Sequence, residues 1–233
     1  SLFSVFLDLE DDRVDVTVGL AHDSRLPAAK ELVQDYLATH HWIGEAISAG
    51  GGLIPVRRAF DCLVADGLAL VGDAACQTMP LHASGVALAL AAGKLLAETA
   101  GQALERGENS RSALWPYNAR YQRQRGMIQA NSELFQRFLD GLSPSALSRL
   151  FASGIITGEG VEGSLEGLPL DLPRSAVVSA ALRLLAKPGL VLSLARLHRD
   201  IHRALELYLA YPEEWDPEDF SRWRSRAEKL FGR

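Results

Sequence analysis

The sequence predicts an α/β chain, α+β in the arrangement of its own elements, and three observations predict it. Alternating residues near the start read as an antiparallel hairpin. The short apolar run Leu68-Ala69-Leu70-Val71 leads through a small-residue loop into an alanine- and leucine-rich helix. From Ser110 onward, helical periodicity recurs with few interruptions. The chain therefore divides into residues 1–59, 60–109 and 110–233.

In the first region, Leu2 to Leu9 and Val14 to Leu20 read as two strands joined by the acidic turn Glu10-Asp11-Asp12-Arg13. Pro27 to His40 sets Leu32, Val33, Tyr36 and Leu37 on one face of a helix. A third strand is expected around Leu53 to Arg57. Arg57 and Arg58, at its end, read as a solvated pair or as a pair attracting an anion.

The second region centres on the fourteen residues from Gly72 to Gly85. Before them, Leu68 to Val71 is continuously apolar between Asp66-Gly67 and Gly72-Asp73, the pattern of a central strand covered on both faces. After them, Val86 to Leu104 favours helix and stops at Arg106-Gly107-Glu108-Asn109. The first turn of such a helix has N–H groups without intrahelical partners and carries the positive end of the dipole, so it favours electron-rich ligand atoms. Small residues at Ala74, Ala75, Ala83, Ser84 and Gly85 admit a flat ligand to the backbone, and Pro80 stiffens the loop. Asp73 either accepts hydrogen bonds from sugar or polyol hydroxyls or caps a local N–H in a Gly-Asp turn.

In the third region, Trp115 to Leu139 reads as an amphipathic helix with a basic flank of Arg120, Arg123, Arg125 and Arg137. Ser143-Pro144 opens another. Residues 154–173, rich in Gly and Pro, read as a mobile loop lying over a pocket; Ala176 to Leu185 and Pro188 to Tyr208 read as helices. Glu213-Glu214-Trp215-Asp216-Pro217 caps a last helix ending near Phe231. His198 and His202 share a helix face, but no third ligand and no intervening Glu accompany them, so no metal site is expected.

Composition narrows the function classes. At 233 residues and 48% hydrophobic the chain can bury a sizeable core. A net charge of −5 without a long basic run argues against nucleic-acid binding. Two cysteines suit a reducing, cytoplasmic setting rather than a disulfide scaffold. No signal peptide is visible, and Val86 to Leu96 is too short to span a bilayer. Contact of the apolar and basic helices with a membrane surface is the alternative to packing on the second region.

Gly51-Gly52-Leu53-Ile54-Pro55, then Asp66-Gly67-Leu68-Ala69-Leu70-Val71-Gly72-Asp73-Ala74-Ala75, then Pro80 and Gly85, then Ala89-Leu90 and Gly93 resemble the C-terminal half of the geranylgeranyl reductase family. That family lies within the FAD-dependent oxidoreductases similar to p-hydroxybenzoate hydroxylase. The resemblance implies the remnant of a Rossmann-like FAD domain, part of an antiparallel substrate-domain sheet, and a helical C-terminal region. It implies FAD as cofactor. Gly72, Asp73 and Ala74 would belong to the Gly-Asp-Ala-Ala motif, with Asp73 on the ribitol chain. Pro80 would lie in the loop beside the flavin, and Ser84, Gly85 and Val86 would start the helix facing the ring. The reaction so implied is hydride transfer between flavin and an unsaturated, apolar or lipid-like substrate, to which the protein contributes binding and orientation.

The chain departs from the family pattern in places. Cys76 stands where the family usually has Gly, and Ala83-Ser84-Gly85 stands for Gly-Gly-Gly. His82 replaces Thr or another small residue; it is the one candidate catalytic side chain, with an ordinary surface histidine as the alternative. Cys76 reads as a redox-active thiol or a buried filler. The lipid-tunnel motif Tyr-x-Trp-x-Phe-Pro survives only as Phe6, with Gly19 farther on, so the fold and the prenyl substrate need not travel together. No strand with Gly-x-Gly-x-x-Gly opens the chain, and the same spacing from Gly158 to Gly163 precedes no helix and carries Glu159 and Glu162, which repel a pyrophosphate. The chain thus corresponds to roughly the last three-fifths of a full-length reductase. Two expectations follow: FAD affinity of this chain alone is weak or nil, and the edge of the Leu68–Val71 strand is covered by a second polypeptide, by dimerisation or by rearrangement. The alternative class is a non-catalytic binding or assembly subunit derived from a flavoprotein.

Overall fold

A computed structural model describes residues 2–20, 26–154, 175 and 187–232. The chain forms two compact units, Ser1–Gly52 and Leu53–Arg233.

In the first unit, β1 (Leu2–Asp8) pairs antiparallel with β2 (Arg13–Gly19), in register from Leu2 opposite Gly19 to Asp8 opposite Arg13. The Asp8 carboxylate closes the turn by accepting from the N–H groups of Glu10 at 3.1 Å and Asp11 at 3.2 Å. Val14, Val16 and Val18 are half-buried while Arg13, Asp15 and Thr17 are exposed, the alternation expected of a strand with one covered face. Helix α1 (Ala29–Thr39) packs on β2, with Leu32, Val33, Tyr36 and Leu37 on its half-buried side. Glu31 accepts from the Ala28 N–H at 3.3 Å, an N-terminal cap from a carboxylate in the first turn.

The second unit is mostly helical: α2 (Val86–Glu105), α3 (Arg111–Tyr121), a wide π-turn (Gln122–Gly126), α4 (Met127–Asp140), α5 (Pro144–Ala152), α6 (Pro188–Leu209) and α7 (Pro217–Phe231). Its caps match the chemistry of their residues. Ser110 accepts from Ala113 N–H at 3.2 Å, Ser143 from Ala146 N–H at 3.3 Å, and Asp216 from both Glu218 and Asp219 N–H at 2.8 Å. Gly107, at φ 69°, ends the turn after α2. The core is aromatic: Trp115 lies 4.8 Å from Trp215 and 5.7 Å from Tyr211, and Tyr211 in turn 4.6 Å from Trp223, ring centre to ring centre.

Four expectations are corrected. Leu53 to Arg57 forms no strand; the Val56 and Arg57 N–H groups close tight local turns on Ile54 and Pro55 carbonyls, and Leu53, Ile54 and Val56 stay exposed. The expected central strand shrinks to β4 (Leu68–Ala69), paired antiparallel with β3 (Val64–Ala65) around Gly67 at φ 68°. Leu68 is exposed, so this strand is covered on one side only, and no parallel neighbour exists among the described residues. The helix expected from Trp115 starts earlier, at its Ser110 cap, and is interrupted by the π-turn. It is also buried almost all round, because α2, β3, α6 and α7 enclose it. Arg58 is not solvated: it is 3% exposed, paired with Asp61, 3.5 Å from Tyr208 OH and 4.7 Å from the Phe231 ring centre.

The Gly158-to-Gly163 spacing, most of the 154–173 loop and the Ala176–Leu185 helix lie outside the described residues. His198 and His202 bring their Nε2 atoms to 3.2 Å on α6, and no group of three or more potential metal ligands occurs among the described residues. No described helix is long and apolar enough to cross a membrane.

Candidate functional site

The loop between β4 and α2 is two nested turns. Val71 runs into a 3-10 turn, Gly72–Ala75, entered with Gly72 at φ 67° and left with Cys76 at φ 55°. The Cys76 N–H bonds to Asp73 O and the Gln77 N–H to Gly72 O, both at 3.0 Å. Met79 N–H then bonds to Ser84 O and Ala83 N–H to Met79 O, both at 2.8 Å, with Ala83 at φ 58°. Two residues with a β-carbon therefore adopt the left-handed conformation at Cys76 and Ala83, the positions where the resemblance placed glycine.

Buried polar side chains hold both turns from behind. Gln77, fully buried, accepts from Gly72 N–H at 2.6 Å and donates to Tyr117 OH at 2.9 Å, which donates to Leu70 O at 2.7 Å. Gln129 donates through Nε2 to the carbonyls of Cys76 and Thr78, each at 2.9 Å, and its Oε1 accepts from Tyr121 OH at 2.7 Å. Ser132 Oγ accepts from Leu81 N–H at 3.2 Å, and Glu133 accepts from Arg58 N–H at 2.6 Å. Gln122 donates to Phe60 O at 2.7 Å, while Phe60 N–H reaches Ala75 O at 3.3 Å. Burial pushes the Tyr117 hydroxyl up to about 12, against a weaker opposing pull from Gln77, so it stays a neutral donor. Sequence reasoning missed this bracing; amides interleaved with aromatics on α3 and α4 were the available signal.

The front of the loop is open. Asp73, Ala74 and Ser84 are exposed, Ala83 and Gly85 half-buried, and Val86 is 76% exposed. Asp73 Oδ1 accepts from Thr78 Oγ1 at 3.1 Å. A β-carbon on Gly85 would lie 3.2 Å from Thr78 Oγ1 and 3.4 Å from Asp73 Oδ1, so the carboxylate sits directly beside the start of α2. Gly85 provides no capping side chain to the first-turn N–H groups. The structure thus gathers Asp73, Ala74, Ser84, Gly85 and Val86 at one surface, with Gly72 and Pro80 buried beneath it. Gly72 faces α2, where a β-carbon would meet Ala89 Cβ at 3.6 Å.

His82 is half-buried in the turn between Met79 and Ser84. Cys76 is 5% exposed and burial pushes its thiol up, which suits a filler and opposes a thiolate. A separate cleft of about 450 Å³ opens between α5 and α6, lined by Ser143, Arg149, Lys187 and Ser193 among others; none of its lining belongs to the Gly72–Val86 loop.

No family model matches the chain. Among curated proteins it is 28% identical over 225 residues to digeranylgeranylglycerophospholipid reductase of Sulfolobus acidocaldarius, covering 94% of this chain and 49% of that protein. It is 29% identical over 159 residues to the protein of the same name in Methanoculleus marisnigri, covering 66% and 40%. It is 35% identical over 107 residues to digeranylgeranylglycerophospholipid reductase 2 of Methanothermobacter thermautotrophicus, covering 46% and 28%. The chain spans about half the length of the first of these relatives. The chain is similar, over part of their length, to proteins named digeranylgeranylglycerophospholipid reductase.

Proposed function

We propose that this chain supplies the ribitol- and ring-facing part of an FAD site in an oxidoreductase acting on an unsaturated, apolar, lipid-like substrate. The observation that carries the reading is the meeting of an exposed carboxylate, Asp73, with the uncapped start of α2 across the bare Cα of Gly85. Named relatives that reduce a geranylgeranylated glycerophospholipid support the substrate class. The residues fit the cofactor: Asp73 offers an acceptor to polyol hydroxyls, and Ala74, Ala83, Ser84 and Gly85 put no bulky side chain in front of the backbone. The first-turn N–H groups of α2 would stabilise negative charge on the pyrimidine edge of the ring. FAD, when bound, would supply the hydride chemistry; the chain would bind, orient and exclude water. His82 lies in the same loop, and no proton is assigned to it.

On this reading the pyrophosphate is held elsewhere in the protein. Leu68 at 55%, Val86 at 76% and Leu90 at 70% exposure are the apolar side chains that a second polypeptide segment, or a second copy, would cover. Visible absorbance of added FAD tests the proposal. The flavin bands are expected to shift with this chain joined to a segment carrying the pyrophosphate half, and less or not at all with the chain alone. Unperturbed bands in every combination would overturn it in favour of a non-catalytic assembly subunit.

A further inference from the structure

Thr78 is 1% exposed, and its hydroxyl meets one oxygen of an exposed carboxylate. Its backbone is fixed independently, because Gln129 Nε2 holds the Thr78 carbonyl and the neighbouring Cys76 carbonyl, and Tyr121 OH holds Gln129. The donor is therefore anchored in the interior while the acceptor stands on the rim. No described residue bonds Asp73 Oδ2. The space that accommodates the pair exists because position 85 has no side chain: a β-carbon there would lie 3.2 Å from the hydroxyl and 3.4 Å from the carboxylate.

We infer that Thr78 is the positioning residue for Asp73. By occupying Oδ1 it selects one rotamer of an otherwise mobile surface carboxylate and leaves Oδ2 directed to a polyol hydroxyl beside the first turn of α2. This rests on the flavin reading of the site and adds to it the residue that sets the geometry of the polyol contact. Such an orienting bond improves affinity by removing rotamer freedom before binding. A hydroxyl that merely satisfied its own hydrogen bond would contribute to stability alone.

A double-mutant cycle separates the two, using FMN, which carries the ring, the ribitol and a phosphate, and lumiflavin, which carries the ring only. Binding to the chain is followed by amide shifts of Gly85 to Leu88, which report weak complexes. Asp73→Asn is expected to weaken FMN about tenfold and Thr78→Val about fivefold. Thr78→Ser should restore wild-type affinity, and Thr78→Val should add nothing in the Asp73→Asn background. Lumiflavin affinity should be the same in all variants. Should valine disturb folding, Thr78→Ala removes the same hydroxyl without added volume. Loss of FMN affinity in Asp73→Asn but not in Thr78→Val or Thr78→Ala, or additive losses in the double variant, would overturn the role of Thr78 alone. Failure of wild type, joined to a segment carrying the pyrophosphate half, to respond to either probe would overturn the flavin reading and this assignment with it.

Discussion

Ala83→Gly should stabilise the protein, against the usual effect of introducing glycine. Ala83 sits at φ 58°, where a β-carbon crowds the following carbonyl at a cost of about 1–2 kcal/mol. Glycine escapes that cost but loses roughly 0.5–1 kcal/mol more chain entropy on folding. Removing one half-buried methyl forfeits about 0.4 kcal/mol, half the usual value for a buried methylene. At the midpoints the balance is a gain of about 0.3–0.4 kcal/mol, or a rise in Tm of roughly 1 °C for a unit of this size. Two companions isolate the backbone contribution. Gly72→Ala reverses it: at φ 67°, with Ala89 Cβ at an ordinary 3.6 Å, the new methyl meets strain but no clash, and about 0.5–1 kcal/mol should be lost. Cys76→Gly relieves the same strain at φ 55° but empties a site 5% exposed, so it should be close to neutral. Urea unfolding of the three variants provides the measurement. A destabilised Ala83→Gly together with a neutral Gly72→Ala would refute the strain argument.

Two further outcomes follow from the core behind the loop. Gly126→Ala should cost about 1–3 kcal/mol in urea unfolding although alanine favours helix, because its β-carbon would overlap Gln122 Oε1 and lie 3.1 Å from Tyr208 Cε1. Gln122 has nowhere to retreat, being fully buried and bound to Phe60 O, so an unchanged midpoint would contradict the packing. Alkaline unfolding should accompany tyrosine ionisation. Burial pushes Tyr117 and Tyr208 up to about 12 and raises Tyr121 and Tyr211 as well, so above pH 10 the unfolded chain releases protons that the folded one retains. Stability is full below pH 10 and falls as pH rises toward 12. Phenolate absorbance at 295 nm should therefore rise with the loss of far-UV circular dichroism; ionisation of these tyrosines well before unfolding would count against it.

The parts legible in sequence are those set by local chemistry. The hairpin came from alternation and an acidic turn, α1 from spacing, and two helix starts from Ser143 and Asp216, each of which satisfies backbone donors of its own segment. The small-residue loop before α2 was legible for the same reason, but the left-handed backbone at Cys76 and Ala83 was not. What failed depended on partners distant in sequence. Leu68 to Val71 looked like a central strand by its apolar run, yet a run of four residues specifies neither face nor neighbour, and only the hairpin with Val64–Ala65 forms. Arg58 looked like a surface cation because its partners, Asp61 apart, are Tyr208 and Phe231, some 150 positions or more away.

Gln77, Gln122, Gln129, Ser132 and Glu133 are hydrophilic residues, yet they are buried and each satisfies a backbone group of the segment from Arg58 to Leu81. That arrangement has an energetic consequence for the candidate site. A loop with two non-glycine residues in left-handed conformations stores strain, and strain persists only where the surroundings over-determine the backbone. Here the surroundings are hydrogen bonds formed as α3 and α4 pack, so the loop is shaped by folding and needs no ligand to order it. On the flavin reading, a weak affinity of this chain alone would then reflect missing pyrophosphate contacts, not a disordered Asp73 loop. The two origins differ in a measurable way. With a preformed loop, amide exchange at Cys76 and Gln77 is slow before any flavin is added and changes little on saturation; with a ligand-ordered loop, it slows by orders of magnitude on binding.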